Sequence, residues 1–210
     1  MSFALPILIV WLVTDLVTGW TLHKLVVLLT ALCWLVMDNV WRLKARNTQS
    51  ITTIAHIPIW RKLWLVLRSY GFYFLPLSFV PVLGLRILPE QLVWAWIGMG
   101  MCACGVGLAI WSRHVLAKSW NVATGLEEHH ALIQTGPYAI VRHPIYFGML
   151  LAMLGTALAV GELRALINLV VSMTEGWAKL NQEETILQKE FPDAYANYRQ
   201  RVRKLIPGIL

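Results

Sequence analysis

The sequence predicts an all-α integral membrane protein of about six transmembrane helices, and two observations carry that prediction. Hydrophobic residues make up 58% of the 210-residue chain and charged residues only 14%, with a mean hydropathy of +0.60. A soluble domain of this size carries about a quarter charged residues, so this chain lacks the charge that a water-facing surface requires. The second observation is that apolar residues gather in runs near the length of about 20 residues that a membrane helix needs.

Six apolar runs divide the chain, and four of them approach the length of a full membrane crossing. These four lie at residues 3–22, 25–41, 63–85 and 90–113. Because no linker or internal repeat interrupts the sequence, the whole chain is predicted to form one membrane domain. Two N-terminal helices and a loop would occupy residues 1–62, and a core would occupy residues 63–210.

The last two apolar runs are shorter and lie close together. Residues 144–160 and 163–178 are separated only by Gly161 and Glu162. This spacing predicts a tight helical hairpin whose arms tilt or stop short of a full crossing.

Positive charge predicts the orientation of the helices. The net charge is +7, and fourteen of the eighteen Lys and Arg residues fall on one side of the membrane if both termini are cytoplasmic. We interpret this excess as an orientation signal and as contact with anionic headgroups, and we predict no nucleic-acid partner. Neither the three cysteines nor the six histidines have the spacing of a metal site, so none is predicted.

The C-terminal tail changes character after Ala178. Apolar residues there fall at helical spacing among charged ones, which predicts a cytoplasmic helix that stops near Pro192. Glu184 shares the apolar stripe with Leu180 and Leu187, and Glu183 flanks it. A carboxylate on an apolar stripe must find a partner or bear the cost of desolvation.

The start of the predicted hairpin collects polar residues that fit a ligand site. Pro144 suits the first turn of a helix, with His143 at the N-cap and Tyr146 one turn in. The free N–H groups of that turn form a partly positive end. Because a hairpin returns the chain to the side where it began, Glu183 is predicted to lie near His143.

These residues form part of a longer pattern that resembles the isoprenylcysteine carboxyl methyltransferase family, which is grouped with the phospholipid methyltransferases in one membrane superfamily. The resemblance covers about residues 98–210. It rests on four motifs in order: His130-x-Leu132-Ile133-x-x-Gly136-Pro137-Tyr138, Arg142-His143-Pro144-x-Tyr146, Glu183-Glu184-x-x-Leu187-x-x-x-Phe191-x-x-x-Tyr195-x-x-Tyr198 and Leu205-Ile206-Pro207.

The resemblance implies a multi-helix fold with a cytoplasmic S-adenosylmethionine site in the C-terminal half. It further implies that a lipid or another small hydrophobic methyl acceptor enters from the bilayer. The residues that it implies for the cofactor are His130, His143, Tyr146, Glu183 and Glu184, with the backbone of Leu132 and Tyr138 nearby.

The sequence also departs from the family pattern. Lys179 stands where the family commonly has Arg, and an ammonium is a point charge rather than a planar fork. We place Lys179 toward the methyl acceptor, which need not be a prenylcysteine carboxylate. If the acceptor is an amine or a thiol, His143 or Glu183 is a candidate base. The Phe191-Pro192 pair, where the family has Phe-Gly, is interpreted only as a helix stop.

Two other functions stay open at this point. Membrane sterol-type reductases, which use NADPH, share an Arg-His-Pro-Asn-Tyr-x-Gly-Glu signature, but this chain has Ile145 and Met149 in place of its Asn and Glu. A non-catalytic scaffold or sensor of the same fold is the second alternative, and retention of the His, Tyr and Glu residues argues against it.

The charge pattern gives a testable topology. Both termini and segments 42–62 and 114–143 are expected to face the cytoplasm. A cysteine introduced at residues 86–89 should therefore react with a membrane-impermeant thiol reagent from the opposite side. Labelling of the tail after residue 179 from that opposite side would contradict the prediction.

Overall fold

The computed structural model describes residues 21–46, 84–89, 91–123 and 132–209. Helices predominate in these ranges, and the pairing that the described residues show is limited to isolated bridges. The helices are α1 (Leu22–Arg46), α2 (Leu92–Ala123), α3 (Pro144–Val160), α4 (Leu163–Glu190) and α5 (Pro192–Arg201), with a 3-10 helix at Gly136–Ala139. The expected helix at 63–85 and nearly all of the one at 3–22 lie outside the described residues, as does His130.

The first two described helices are longer than their apolar runs. The run 25–41 lies within α1, and α2 continues ten residues past the predicted end at Arg113. Residues 114–123 of the segment expected to connect two membrane helices are therefore helical. Between Gly107 and Gly125 the sequence has neither Gly nor Pro, so nothing in it ends the helix where the charged residues begin.

Helix α3 has the bounds predicted from its apolar run, whereas α4 does not. Helix α4 runs without a break from Leu163 to Glu190, so the predicted membrane arm and the predicted tail helix are one element. The chain bends at Phe191, and Pro192 then occupies the first turn of α5. The interpretation of Pro192 as a helix stop alone was wrong, because a proline at N1 loses no hydrogen bond and also starts a helix.

Two described segments are long and apolar enough to cross a membrane. They are Leu22–Trp41 and Leu92–Leu116, and the apolar helix Pro144–Val160 is shorter. Their length and composition agree with the predicted membrane protein.

The described residues divide into two compact units. The first comprises the described part of Met1–Cys102 together with Leu154–Val170. In it, the Trp34 indole N–H donates to the Thr156 hydroxyl at 2.9 Å. The turn before α4 is held by a bond of 2.9 Å from the Ile87 N–H to the Gly161 carbonyl, and the positive φ of Gly161 suits glycine.

The second unit comprises Ala103–Met153 and Val171–Leu210. Here α2 and α3 pack with their backbones in contact, since a Cβ at Gly105 would overlap backbone atoms of Gly148 and Ala152. Small residues permit such close packing of membrane helices. Leu180 and Tyr195 are fully buried in this unit, which carries most of the predicted site.

This close approach predicts a difference between two glycines of α2. Gly105→Ala should lower stability by about 1–3 kcal/mol, because the methyl group must displace the backbone of α3. Gly107→Ala is the matched control, since a Cβ there meets nothing within 4 Å. Thermal unfolding of the two purified variants tests this, and equal unfolding temperatures would contradict the packing.

Candidate active site

The segment before α3 is fixed by the end of the chain. The Arg142 N–H donates to the Arg203 carbonyl at 2.8 Å, and the His143 N–H donates to the Lys204 carbonyl at 3.1 Å. Val141 forms a parallel bridge with Arg203. These bonds hold the backbone of His143 in place before the helix begins.

His143 occupies the N-cap position that the sequence predicted. Helix α3 begins at Pro144, and the His143 carbonyl accepts the Phe147 N–H at 3.1 Å. The imidazole is buried, with 5% of the side chain exposed. Its ring meets that of Tyr146 edge-on, with centroids 6.0 Å apart.

Glu183 lies beside both of these side chains. The Tyr146 hydroxyl donates to Glu183 Oε1. Glu183 Oε2 lies 3.7 Å from His143 Nδ1, and the Glu183 side chain is 43% exposed. We call the place beside this pair of atoms, which lie too close together to admit another atom between them, the His143–Glu183 gap. The structure thus brings together residues 143, 146 and 183, as the predicted hairpin required.

Glu184 is held by basic side chains. Its Oε1 accepts from Nε and Nη2 of Arg142, at 2.9 and 2.7 Å, and lies 3.4 Å from His143 Nε2. Its Oε2 lies 3.3 Å from Lys204 Nζ. Burial acts to raise the pKa of Glu184, but the bonds from His143 and Arg142 and the nearby positive charges outweigh it and hold that pKa well below its ordinary range.

Arg142 is the residue whose importance the sequence did not reveal. Its side chain is only 7% exposed. Besides the bonds to Glu184, its Nη1 donates to the carbonyls of Arg199, at 3.2 Å, and Val202, at 2.8 Å. In the sequence it stood in the Arg142-His143-Pro144-x-Tyr146 motif, but no role was assigned to it. The available signal was Glu184 itself, because a carboxylate on an apolar stripe needs a buried partner.

Lys204 was also missed by sequence reasoning. Its ammonium donates to Asn181 Oδ1 at 2.6 Å and lies 4.5 Å from the centre of the Trp177 ring. Together with the contact to Glu184, this fastens the C-terminal segment along one face of α4. No sequence pattern pairs a residue near the end of the chain with this helix.

Tyr138 lies behind the site and is held by α5. The Tyr198 hydroxyl donates to the Tyr138 carbonyl at 2.6 Å, and burial raises the pKa of Tyr198 to about 12. Burial also raises the pKa of Tyr138, and the negative charges near it add to that effect. The carbonyl that was predicted to lie near the cofactor therefore already accepts one bond from the protein.

The remaining predicted site residues are placed as follows. Lys179 is exposed on α4, one turn before Glu183 and on the same face. Leu132 is partly buried in the segment before the 3-10 helix. The proposed cofactor contact of His130 stays a prediction.

Comparisons with known proteins match the part of the chain that carries these residues. A sequence model of the family described as phospholipid methyltransferase matches residues 93–194. A protein-S-isoprenylcysteine O-methyltransferase from Schizosaccharomyces pombe is 33% identical over 89 residues, which cover 42% of this chain and 38% of the relative. Protein-S-isoprenylcysteine O-methyltransferase B from Arabidopsis thaliana is 35% identical over 84 residues, which cover 40% and 43%.

These comparisons support the resemblance to the isoprenylcysteine and phospholipid methyltransferase superfamily. The region matched by the family model, residues 93–194, includes every residue predicted for the site. The alignments to the two relatives span less than half of each relative's length. The C-terminal residues that complete the site in this chain, from Tyr195 onward, follow the matched region.

The lowered pKa of Glu184 predicts a pH-dependent stability. Because the folded-state pKa lies below the ordinary value of 4.5, ionised Glu184 contributes stability above about that pH, and the contribution is lost as the pH falls toward the folded-state value. Glu184→Gln should therefore cost about 1.5–3 kcal/mol at neutral pH, the range for a hydrogen bond to a charged group. The loss should shrink in acid.

The matched control is Glu190→Gln in the last turn of the same helix, where the side chain is exposed. Thermal unfolding of both variants from about pH 7 down to about pH 2, through and below the ordinary glutamate pKa, measures the difference. If Glu184→Gln and Glu190→Gln unfold alike at neutral pH, the buried ion pair does not contribute to stability.

Proposed function

We propose that this protein transfers a methyl group from S-adenosylmethionine to a lipid-like or small hydrophobic acceptor at the cytoplasmic face of a membrane. The observation that carries the proposal is the His143–Glu183 gap, which lies within the region matched by a methyltransferase family. Both relatives are named as O-methyltransferases, which supports methyl transfer as the chemistry.

The donor set of the gap fits this cofactor. Glu183 offers carboxylate oxygens, and the bond from Tyr146 occupies only one of them. A carboxylate beside a ring nitrogen favours a cationic ligand with N–H donors. When bound, S-adenosylmethionine supplies an electrophilic methyl group on a sulfonium sulfur, together with a cationic amino group.

The protein's part in such a transfer is binding, alignment and the exclusion of water. Glu183 and Tyr146 would hold the cationic end of the cofactor, with His143 opposite. His130 and the backbone of Leu132 and Tyr138 complete the proposed cofactor set. Because Arg142 and Lys204 already neutralise Glu184, we assign that carboxylate a positioning role rather than direct contact with the cofactor.

The methyl acceptor is proposed to be hydrophobic, as the isoprenylcysteine in the relatives' names suggests. Lys179 would orient it from the exposed side of α4, one turn from Glu183. A carboxylate or thiolate acceptor needs no base, whereas an amine or thiol must lose a proton, and His143 or Glu183 would accept it.

We propose a multi-pass arrangement with the site on the cytoplasmic side, in one membrane domain whose catalytic core spans residues 63–210. The distribution of Lys and Arg supports the orientation. The site lies at the start of α3 and toward the end of α4, next to the basic C-terminal segment.

The electrostatics of the site disfavour the NADPH-dependent reductase. A phosphorylated cofactor needs cations. Among the described residues, Arg142 and Lys204 are the cations beside His143, and both are paired with Glu184. The carboxylate of Glu183 would repel phosphate. A non-catalytic scaffold is separated from the enzyme by a transfer assay with labelled methyl donor.

The cofactor proposal predicts selective binding. Purified protein should bind S-adenosylmethionine or its demethylated product in a calorimetric titration and should not bind NADPH. Glu183→Gln should weaken binding roughly tenfold or more, because a hydrogen bond to a charged group contributes about 1.5–3 kcal/mol. Binding of NADPH alone would exclude the methyltransferase.

The same preparation tests the role of Lys179. Lys179→Ala should reduce the rate of methyl transfer while leaving cofactor affinity nearly intact, because its place is toward the acceptor. If Lys179→Ala and Glu183→Gln lose cofactor affinity equally, the two residues do not divide the roles in this way.

A further inference from the structure

The guanidinium of Arg142 meets one particular oxygen of Glu184. Both Nε and Nη2 donate to Oε1, at 2.9 and 2.7 Å, and this is also the oxygen 3.4 Å from His143 Nε2. The other oxygen, Oε2, faces Lys204 instead. The two cations of the site therefore act on opposite oxygens of one carboxylate, and only Arg142 shares an oxygen with His143.

This arrangement determines which nitrogen of His143 carries the hydrogen. A carboxylate paired with a guanidinium is ionised and can only accept hydrogen bonds. The ring nitrogen that faces it must therefore donate, which places the hydrogen of the neutral imidazole on Nε2. Nδ1 lies 3.7 Å from Glu183 Oε2, which is beyond hydrogen-bond distance, so this carboxylate does not claim the hydrogen and Nδ1 is a bare acceptor beside the His143–Glu183 gap.

The shape of the guanidinium explains why an arginine suits this position. While Nε and Nη2 bind Glu184, Nη1 donates to the carbonyls of Arg199 and Val202. A planar fork can serve a carboxylate on one edge and backbone carbonyls on another, whereas a lysine ammonium is a single point. The carbonyls fix the rotation of the guanidinium and so fix the position of Glu184 Oε1.

We propose that Arg142 is a positioning residue, which acts through Glu184 to hold the hydrogen of His143 on Nε2 and to present Nδ1 as an acceptor to the ligand in the His143–Glu183 gap. Arg142 itself touches neither the cofactor nor the methyl acceptor. The proposal rests on the proposed function for the identity of that ligand. The tautomer of His143 in the ligand-free protein does not depend on the proposed function.

Nitrogen NMR of the full-length protein, labelled with ¹⁵N-histidine in detergent, tests the tautomer directly. Spectra are recorded at about pH 8, above the ordinary histidine pKa of about 6.5, and the signals of His143 are identified by their loss in His143→Gln. In the wild-type protein, Nε2 should give the protonated signal and Nδ1 the unprotonated one.

Two variants remove the proposed cause. Arg142→Lys keeps a positive charge but loses the fork, and Arg142→Gln loses both the charge and the fork. In both, His143 should show a mixture of tautomers, and affinity for S-adenosylmethionine should fall about tenfold or more. In metal sites, mutating the group that orients a histidine ligand lowers metal affinity or activity by about 10–100-fold, and we expect a loss of similar size here.

Lys204→Gln is the matched control, because Lys204 contacts the same carboxylate through Oε2. It should lower the unfolding temperature while His143 keeps its hydrogen on Nε2. If Arg142→Lys does not fold, Arg142→Gln provides the same test.

Three results would overturn the proposal. They are a wild-type His143 with its hydrogen on Nδ1, an unchanged tautomer in both Arg142→Lys and Arg142→Gln, and an equal loss of the Nε2 tautomer in Lys204→Gln. The last result would mean that general loosening, and not the shared oxygen, is the cause. A wild-type protein with the expected tautomer that does not bind S-adenosylmethionine would contradict the proposed function instead.

Discussion

A carboxylate on the buried face of a helix has to be neutralised where it lies, and in this chain Arg142 does so for Glu184. The pair is buried on both sides, with 7% and 13% of the side chains exposed. Removing one partner of such a pair leaves an uncompensated charge, which costs far more than losing a surface ion pair. The segment before α3, the C-terminal half of α4 and the end of the chain all contribute to this neutralisation, so their relative positions are set by it.

The ion pair also explains why two adjacent glutamates have different environments. Successive residues on a helix point about 100° apart, so Glu184 turns inward to Arg142 while Glu183 turns toward Tyr146 and remains partly exposed. The inward carboxylate is saturated by protein groups. The outward one keeps acceptor capacity for a ligand. Under the proposed function, Glu184 is the positioning group and Glu183 is the group that binds the cofactor.

The C-terminal segment is part of the site. Its carbonyls bind the Arg142 side chain and the His143 backbone, and Lys204 reaches Glu184. The family match ends at residue 194, so the residues that make these contacts follow the region that the family model matches. A backbone carbonyl can accept a hydrogen bond from a guanidinium whatever the side chain of its residue. Contacts of this kind therefore need no sequence motif.

Much of the helical architecture was predictable from local sequence. The apolar run 144–160 has the bounds of α3, and Pro144 marks its first residue because a proline at N1 costs no hydrogen bond. Helix ends without such a signal were predicted less well. Helix α2 continues to Ala123, and α4 continues past Ala178, since hydrophobicity reports where a membrane ends and not where a helix does.

The sequence by itself predicted apolar segments long enough to cross a membrane, the resemblance to the methyltransferase superfamily and the proximity of His143 to Glu183. It also determined that Glu184 needed a partner, because burial of an unpaired carboxylate is unfavourable in any fold. Only the tertiary structure decided that the partners are Arg142 and Lys204 and that the backbone near Val202 completes the shell. Those contacts join residues about 20 to 60 positions apart in the sequence, and no local periodicity encodes which distant segments meet.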